Sequence, residues 1–236
     1  MSIEVQKSLF LPEIAQQMLE RGFSYIAEPE AAFEKRTDKI SINITVYFSE
    51  KWDSTNSLFA ISHEDVENII IKIGTPTNNF EMQKIGKTRL YTLYHKFIDY
   101  PYASMPKVIG KKVENNCYPI KNELDVRKWK AAFIHYVDND GLSFLNRYSY
   151  LPNVLKEMYL IEKEGNNNYL SLLTGGIDHL FRALIISRLC NDPEYQKKQD
   201  RFDGHILQSK YAKWHLYYES LKMKLLTTVP IYDWNI

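Results

Sequence analysis

Ile177-Asp-His-Leu-Phe-Arg-Ala-Leu-Ile-Ile-Ser-Arg-Leu-Cys190 is the stretch on which the fold turns. Its apolar residues Ile177, Leu180, Phe181, Leu184 and Ile185 recur at i, i+3, i+4, i+7 and i+8, with Asp178, Arg182 and Ser187 between them. That spacing predicts an amphipathic helix. Ile186 and Leu189 widen the apolar face beyond a two-helix seam, so several elements are expected to pack against it. Thr174 is positioned to cap the helix, and Asp178 to answer its dipole. Asp178 and His179 follow Gly175-Gly176, where free helix amides could receive an anion, so the two residues form a candidate binding site.

On either side of this stretch the chain reads as helical. Val126, Trp129, Phe133 and Tyr136 share one helical face, and Asp138-Asn139-Asp140-Gly141 is expected to end that helix through a left-handed glycine. Leu151, Leu155, Met158 and Tyr159 mark a second helix with Pro152 near its start. Beyond Asn191-Asp192-Pro193, the residues Leu207, Tyr211, Trp214, Tyr218, Leu221 and Leu225 step by 4, 3, 4, 3 and 4, the seam of a helix lying along a neighbour.

Towards the N-terminus the period changes. Leu11, Ile14, Ala15, Met18 and Leu19 predict a helix with Pro12 in its first turn and Gly22 as its stop. Three strands follow over 23–27, 31–36 and 40–48, the last alternating Ile40, Ile42, Ile44, Val46 and Phe48 with polar residues. They read as an antiparallel meander with one wet face, its dry face covered by the first helix. Residues 50–58 read as a loop, Ser62-His63-Glu64-Asp65 as the start of a short helix ending near Ile73, and 89–98 as either helix or strand. The expected class is therefore α+β, an N-terminal antiparallel sheet with covering helices followed by a C-terminal helical bundle. The boundary falls in the Pro- and Gly-broken stretch near 115, giving an α+β part, 1–115, and a helical part, 116–236.

Composition narrows the function classes. The 236 residues carry 30 basic and 29 acidic side chains, split 14 against 15 before residue 116 and 16 against 14 after it. Neither part has the basic excess that a nucleic acid or an anionic membrane requires, and neither partner is expected. No export signal opens the sequence and no apolar run reaches the roughly 18 residues of a membrane helix. Cys117 and Cys190 are too few and too far apart for a disulfide scaffold, so reduced thiols in a cytoplasm are expected. The 17 Tyr, with abundant Asn, Lys and Ile, suggest a bacterial source.

Local motifs for chemistry are incomplete. Gly86-Lys87-Thr88 has Glu81 where a phosphate-binding loop needs glycine. Asp138 to Gly141 has Tyr136 and Arg147 at the outer ligand positions of a calcium loop. His63 and Glu67, four apart with Asp65 between them, could face a metal, but an exposed helix start explains them better. No cofactor or metal and no catalytic residue is assigned. The remaining candidate is a protein-binding surface made by Tyr91, Tyr94, Tyr100 and Tyr102 with Arg89 and His95, to which Trp214 and Tyr218 could add.

The segments Leu19-Glu20-Arg21-Gly22-Phe23, Ile40 to Phe48 and Gly141-Leu142-Ser143-Phe144-Leu145-x-x-Tyr148, in that order, resemble uncharacterised bacterial domains of unknown function. The resemblance implies an α+β head, a helical tail and no active site to carry over. Some such domains are similar to the immunity-type proteins that bacteria keep beside toxins. The function expected is a non-enzymatic cytoplasmic protein binder of the immunity or adaptor kind, of unknown oligomeric state. The alternative is an enzyme or small-molecule binder with a site between the two parts, near Asp178 and His179.

Overall fold

The computed structural model describes residues 1–26, 31–48, 54–76, 91–96, 118–165 and 169–234. The fold is α+β, with an antiparallel sheet in the N-terminal half and a helical C-terminal half. In chain order the elements are α1 (Ile3–Glu20), β1 (Ser24–Ile26), β2 (Ala32–Arg36), β3 (Ile40–Tyr47), β4 (Ser54–His63), α2 (Glu64–Ile73), β5 (Leu93–Lys96) and β6 (Tyr118–Pro119). There follow α3 (Glu123–Tyr136), α4 (Leu142–Tyr148), α5 (Leu151–Lys163), α6 (Asp178–Leu189), α7 (Tyr195–Ile206) and α8 (Ala212–Leu226). The strand order is β1-β2-β3-β4-β5, with β6 against β4. β1 pairs antiparallel with β2 in the register Tyr25 to Phe33, and β2 with β3 in the register Phe33 to Ile44.

Several local expectations need correction. α1 starts at Ile3, where the Ser2 hydroxyl accepts from the Val5 N–H at 3.4 Å, so Pro12 lies mid-helix. Proline there removes the bond to the Ser8 carbonyl, yet the buried row Phe10, Ile14 and Met18 holds the helix. Gly22 does end it, at φ 81°. Residues 54–58, read as loop, begin β4, and the open 89–98 stretch is strand over Leu93–Lys96. The meander lacks a wet face along β3: Ser41, Asn43 and Thr45 are buried like Ile44 and Val46. The two hydroxyls are satisfied within the sheet, Thr45 donating to Asn43 Oδ1 at 2.6 Å and Ser41 to Glu34 Oε1 at 2.9 Å.

Contacts group the chain into two compact units interleaved along the sequence. One comprises 1–37, 41–60 and 95–146, and the other 38–40, 61–94 and 147–236.

The first unit is built on rings. Asn122 and Asp125 form a capping box that starts α3, and α3 then lies along α1. Phe10 stacks on Trp129 with centroids 3.7 Å apart and meets Phe133 edge-on at 5.6 Å. Phe33 and Phe59 reach Phe133 from the sheet, each at 6.4 Å. Gly141 is not left-handed and does not stop the helical path; α3 continues through a π-helical stretch, Val137–Gly141, into α4. The glycine serves another purpose, because a Cβ on it would lie 2.7 Å from the Phe59 ring. Asp138 is meanwhile held by Arg21, whose Nε and Nη2 each donate to the carboxylate at 2.7 Å. Those hydrogen bonds keep the Asp138 carboxyl below its ordinary pKa.

The second unit is organised around α6, which packs against α2, α5, α7 and α8. Asp178 through Ser187 and then Leu189 are buried, so the helix is enclosed on every side rather than along a stripe. The widened apolar face is the sequence trace of this enclosure. No described helix is long and apolar enough to cross a membrane.

Candidate functional site

An enclosed helix that carries Asp178 and Arg182 must satisfy both charges inside the protein. Arg182, 1 % exposed, does so with almost its whole guanidinium. Nε donates to Glu67 Oε1 at 2.9 Å and Nη2 to Glu67 Oε2 at 2.7 Å, a bidentate pair between α6 and α2. Nη1 donates to Asp178 Oδ2 at 2.6 Å and to the Thr174 carbonyl at 3.2 Å. Burial works against the guanidinium charge, but the two carboxylates more than reverse it and raise the Arg182 pKa above the usual arginine value.

The group extends to Thr92, the residue directly before β5. The Thr92 hydroxyl donates to Glu67 Oε1 at 2.8 Å and accepts from the His63 N–H at 3.0 Å. Thr92 N–H bonds Ile61 O at 2.8 Å, and Thr92 O accepts from Thr174 N–H at 3.1 Å, beside an antiparallel bridge between Leu93 and Leu173. Thr174 therefore does not cap α6; its hydroxyl donates to the Tyr91 carbonyl. Ile177 holds the N-cap position without a side-chain bond, and Asp178 turns back to accept from the Gly176 N–H at 2.8 Å. Gly175 permits this turn, at φ +113° with any Cβ 2.5 Å from Asp178 Oδ1.

Asp178 thus takes up an amide that was expected to receive an anion. His179 lies beside it with Nδ1 bonded to the Gly176 carbonyl, and burial pushes its pKa below the ordinary histidine value. His63 and Glu67 are both buried, contrary to an exposed helix start. They do not converge: His63 Nε2 bonds the Tyr148 carbonyl at 2.8 Å, while Glu67 is given over to Arg182 and Thr92. Among the described residues no group of His, Cys, Asp and Glu is arranged to hold a metal. Chemically, the group joins α2, α6 and the residue leading into β5, Thr92, through charge-assisted bonds.

Of the tyrosine-rich candidates, Arg89, Tyr100 and Tyr102 lie outside the described residues, as does Gly86-Lys87-Thr88. Tyr94 and His95 fall on β5, and Tyr91 is half-buried directly before Thr92, so the structure brings Tyr91 beside the segment leading into Asp178. Trp214 and Tyr218 do not add to a surface. They face inward from α8 against Phe181, at 5.7 and 5.6 Å. Glu67, Thr92 and Arg182 escaped the sequence reading as one group. The available signal was an arginine in a stretch apolar on all sides, which demands an acid from elsewhere in the chain.

A second buried ionic group lies in the same unit. Lys198 Nζ is 3.0 Å from Asp192 and 3.9 Å from the centre of the Tyr159 ring, and Tyr159 donates to Asp192 at 2.5 Å. Burial pushes the Asp192 carboxyl up, but the bonds from Tyr159 and Lys198 more than reverse it and leave its pKa lowered.

The outer side of α8 has a different character. Trp214, Tyr218, Leu221 and Leu225 are buried, whereas Leu216, Met223 and Leu226 are 74 %, 67 % and 73 % exposed. At 100° per residue, Leu216 and Met223 lie opposite the buried row, with Leu226 one turn on. Val229, 76 % exposed, follows in the segment after the helix. That segment is fastened down: Ile231 and Tyr232 N–H both donate to the Leu189 carbonyl, at 2.8 and 3.0 Å, and Arg188 Nε donates to the Thr228 carbonyl at 2.9 Å. The apolar side chains are presented on a held backbone.

No protein-family model matches the chain, and neither a curated protein nor a solved structure matches it.

Proposed function

We propose that this chain is a non-enzymatic cytoplasmic protein binder, of the immunity or adaptor kind that its resemblance implies. The observation that carries this reading is the outer side of α8. Leu216, Met223 and Leu226 are more than two-thirds exposed on a helix whose opposite side is locked into the core. Aligned exposed apolar side chains on a rigid element are what a protein partner covers, and a pre-ordered surface loses little freedom on binding. The buried free thiol of Cys190 suits a reducing compartment. Purification of the tagged full-length chain from native lysate tests the reading. A protein partner retained in fixed ratio is expected; a monomer that retains no protein at any salt concentration overturns it.

A further inference from the structure

The charges bordering the exposed row of α8 state which partner fits it. Over 209–226 the chain carries Lys210, Lys213, Lys222 and Lys224 against the single acid Glu219. On the helical wheel, Lys213 and Lys224 lie along one edge of the Leu216–Met223 row, and Glu219 and Lys222 along the other. The second edge is neutralised internally, because Lys222 Nζ is 2.8 Å from Glu219 and 3.4 Å from Asp203. Lys213 and Lys224 are exposed and have no acidic partner among the described residues. An apolar row about 10 Å long, from Leu216 to Met223 at 1.5 Å per residue, with Leu226 continuing it on the neutralised side, is thus bordered along its other edge by uncompensated positive charge.

Resting on the protein-binding reading above, we propose that the outer face of α8 docks an amphipathic helix of another protein whose apolar row is edged by Glu or Asp. Apolar anchors supply affinity in such a groove-free pairing, and opposite charges along the seam select partner and register. A second copy of this chain fits poorly, since each face would set its uncompensated Lys213 and Lys224 against the same pair on the other. An anionic lipid surface fits poorly as well. The row offers Leu and Met rather than exposed Trp or Phe, and Glu219 would be pressed among the headgroups.

The test pans the full chain against a displayed library of helical peptides with leucine at the a and d positions and Glu or Lys randomised at e and g. Enrichment of Glu is expected. The double substitution Leu216→Ser, Met223→Ser is expected to weaken the selected peptides by about tenfold or more, as for truncated anchors, and Lys213→Glu with Lys224→Glu to turn the enrichment towards Lys. All four positions are exposed, and circular dichroism checks that each variant folds. No charge preference, or the same preference in the charge-reversed variant, overturns the proposal. So does co-sedimentation with phosphatidylserine vesicles that the serine variant loses, which assigns the face to lipid. A concentration-dependent dimer in sedimentation velocity that the serine variant loses assigns it to self-association and also overturns it. If native lysate yields the same partner with the wild-type chain and the serine variant, this face is wrong while the protein-binding function stands. If the wild-type chain retains no protein and selects no peptide, both fall.

Discussion

Glu67 and Arg182 are each almost fully enclosed, and each holds the other's charge in place. Removing Arg182 leaves the buried carboxylates of Glu67 and Asp178 without their cation, and breaking such a pair costs about 3–5 kcal/mol, whereas replacing both members by apolar groups of similar size is often neutral. Arg182→Met is therefore expected to lower the urea midpoint sharply, and Arg182→Met with Glu67→Met to recover much of the loss. Equal and additive losses in the two single variants and the double would show that the pair is not coupled. The recovery will be incomplete, because Asp178 and Thr92 keep polar atoms that had bonded to the missing groups. A related effect follows from His63. Its ring is buried, desolvation lowers its pKa, and Nε2 bonds the Tyr148 carbonyl. The unfolded chain binds that proton more readily, so stability is fully present above the ordinary histidine value near 6.5 and is lost as pH falls below it. His179 adds a loss of the same sign. Each histidine can contribute a slope of at most about 1.4 kcal/mol per pH unit. Unfolding midpoints measured from pH 7.5 to 5.5 are expected to fall, and His63→Gln, which can keep a donor to Tyr148, to fall less steeply.

At the scale of elements, the turn from α3 into α4 shows how a correct residue can point to the wrong structure. Asp138-Asn139-Asp140-Gly141 has the composition of a helix end, and glycine there suggests a left-handed residue. The chain instead remains helical through a π turn, with Asn139 Nδ2 bonding the His135 carbonyl at 2.7 Å and Ser143 the Asn139 carbonyl at 2.8 Å. What requires glycine is Phe59, distant in sequence and therefore invisible to any local reading. Gly141→Ala is expected to cost about 1–3 kcal/mol as an overpacked contact, measured by denaturant unfolding. Combining it with Phe59→Leu should make the alanine cheaper than it is alone; an unchanged cost would place the strain in the backbone instead. Local periodicity worked where burial is one-sided, as for α5 and the inward row of α8. It failed along β3, where buried Asn43 and Thr45 bond each other and so read as a solvent face. It failed also for α1, whose first two turns carry too few apolar residues at helical spacing to announce themselves.

For the whole molecule, class was legible because a period near two gives way to a period near 3.6 along the chain. The grouping of contacts was not, since α2 and the residues around Thr92 join the helices of the later sequence while α3 joins the sheet. The buried ionic group suffered the same concealment. Its members come from 63–67, 92 and 174–182, and only their types, not their meeting, are written in the string. A formal charge of +1 likewise hides the lysine edge of α8, because acids elsewhere cancel it in the sum.

Cys190, at the end of α6, offers a clock for motion in this enclosed centre. Burial pushes its thiol up to about 12, so almost none is thiolate at neutral pH, and its sulfur has no exposed surface to meet a reagent. In a Cys117→Ser chain, alkylation at this one sulfur can proceed only as often as the surrounding helices part, and its rate counts those partings. Weakening the lock between α2 and α6 with Arg182→Met should quicken the labelling in native buffer, while serines on the outward row of α8 should leave it unchanged. Rapid labelling of the wild-type chain would mean that the centre breathes far more freely than its enclosure implies.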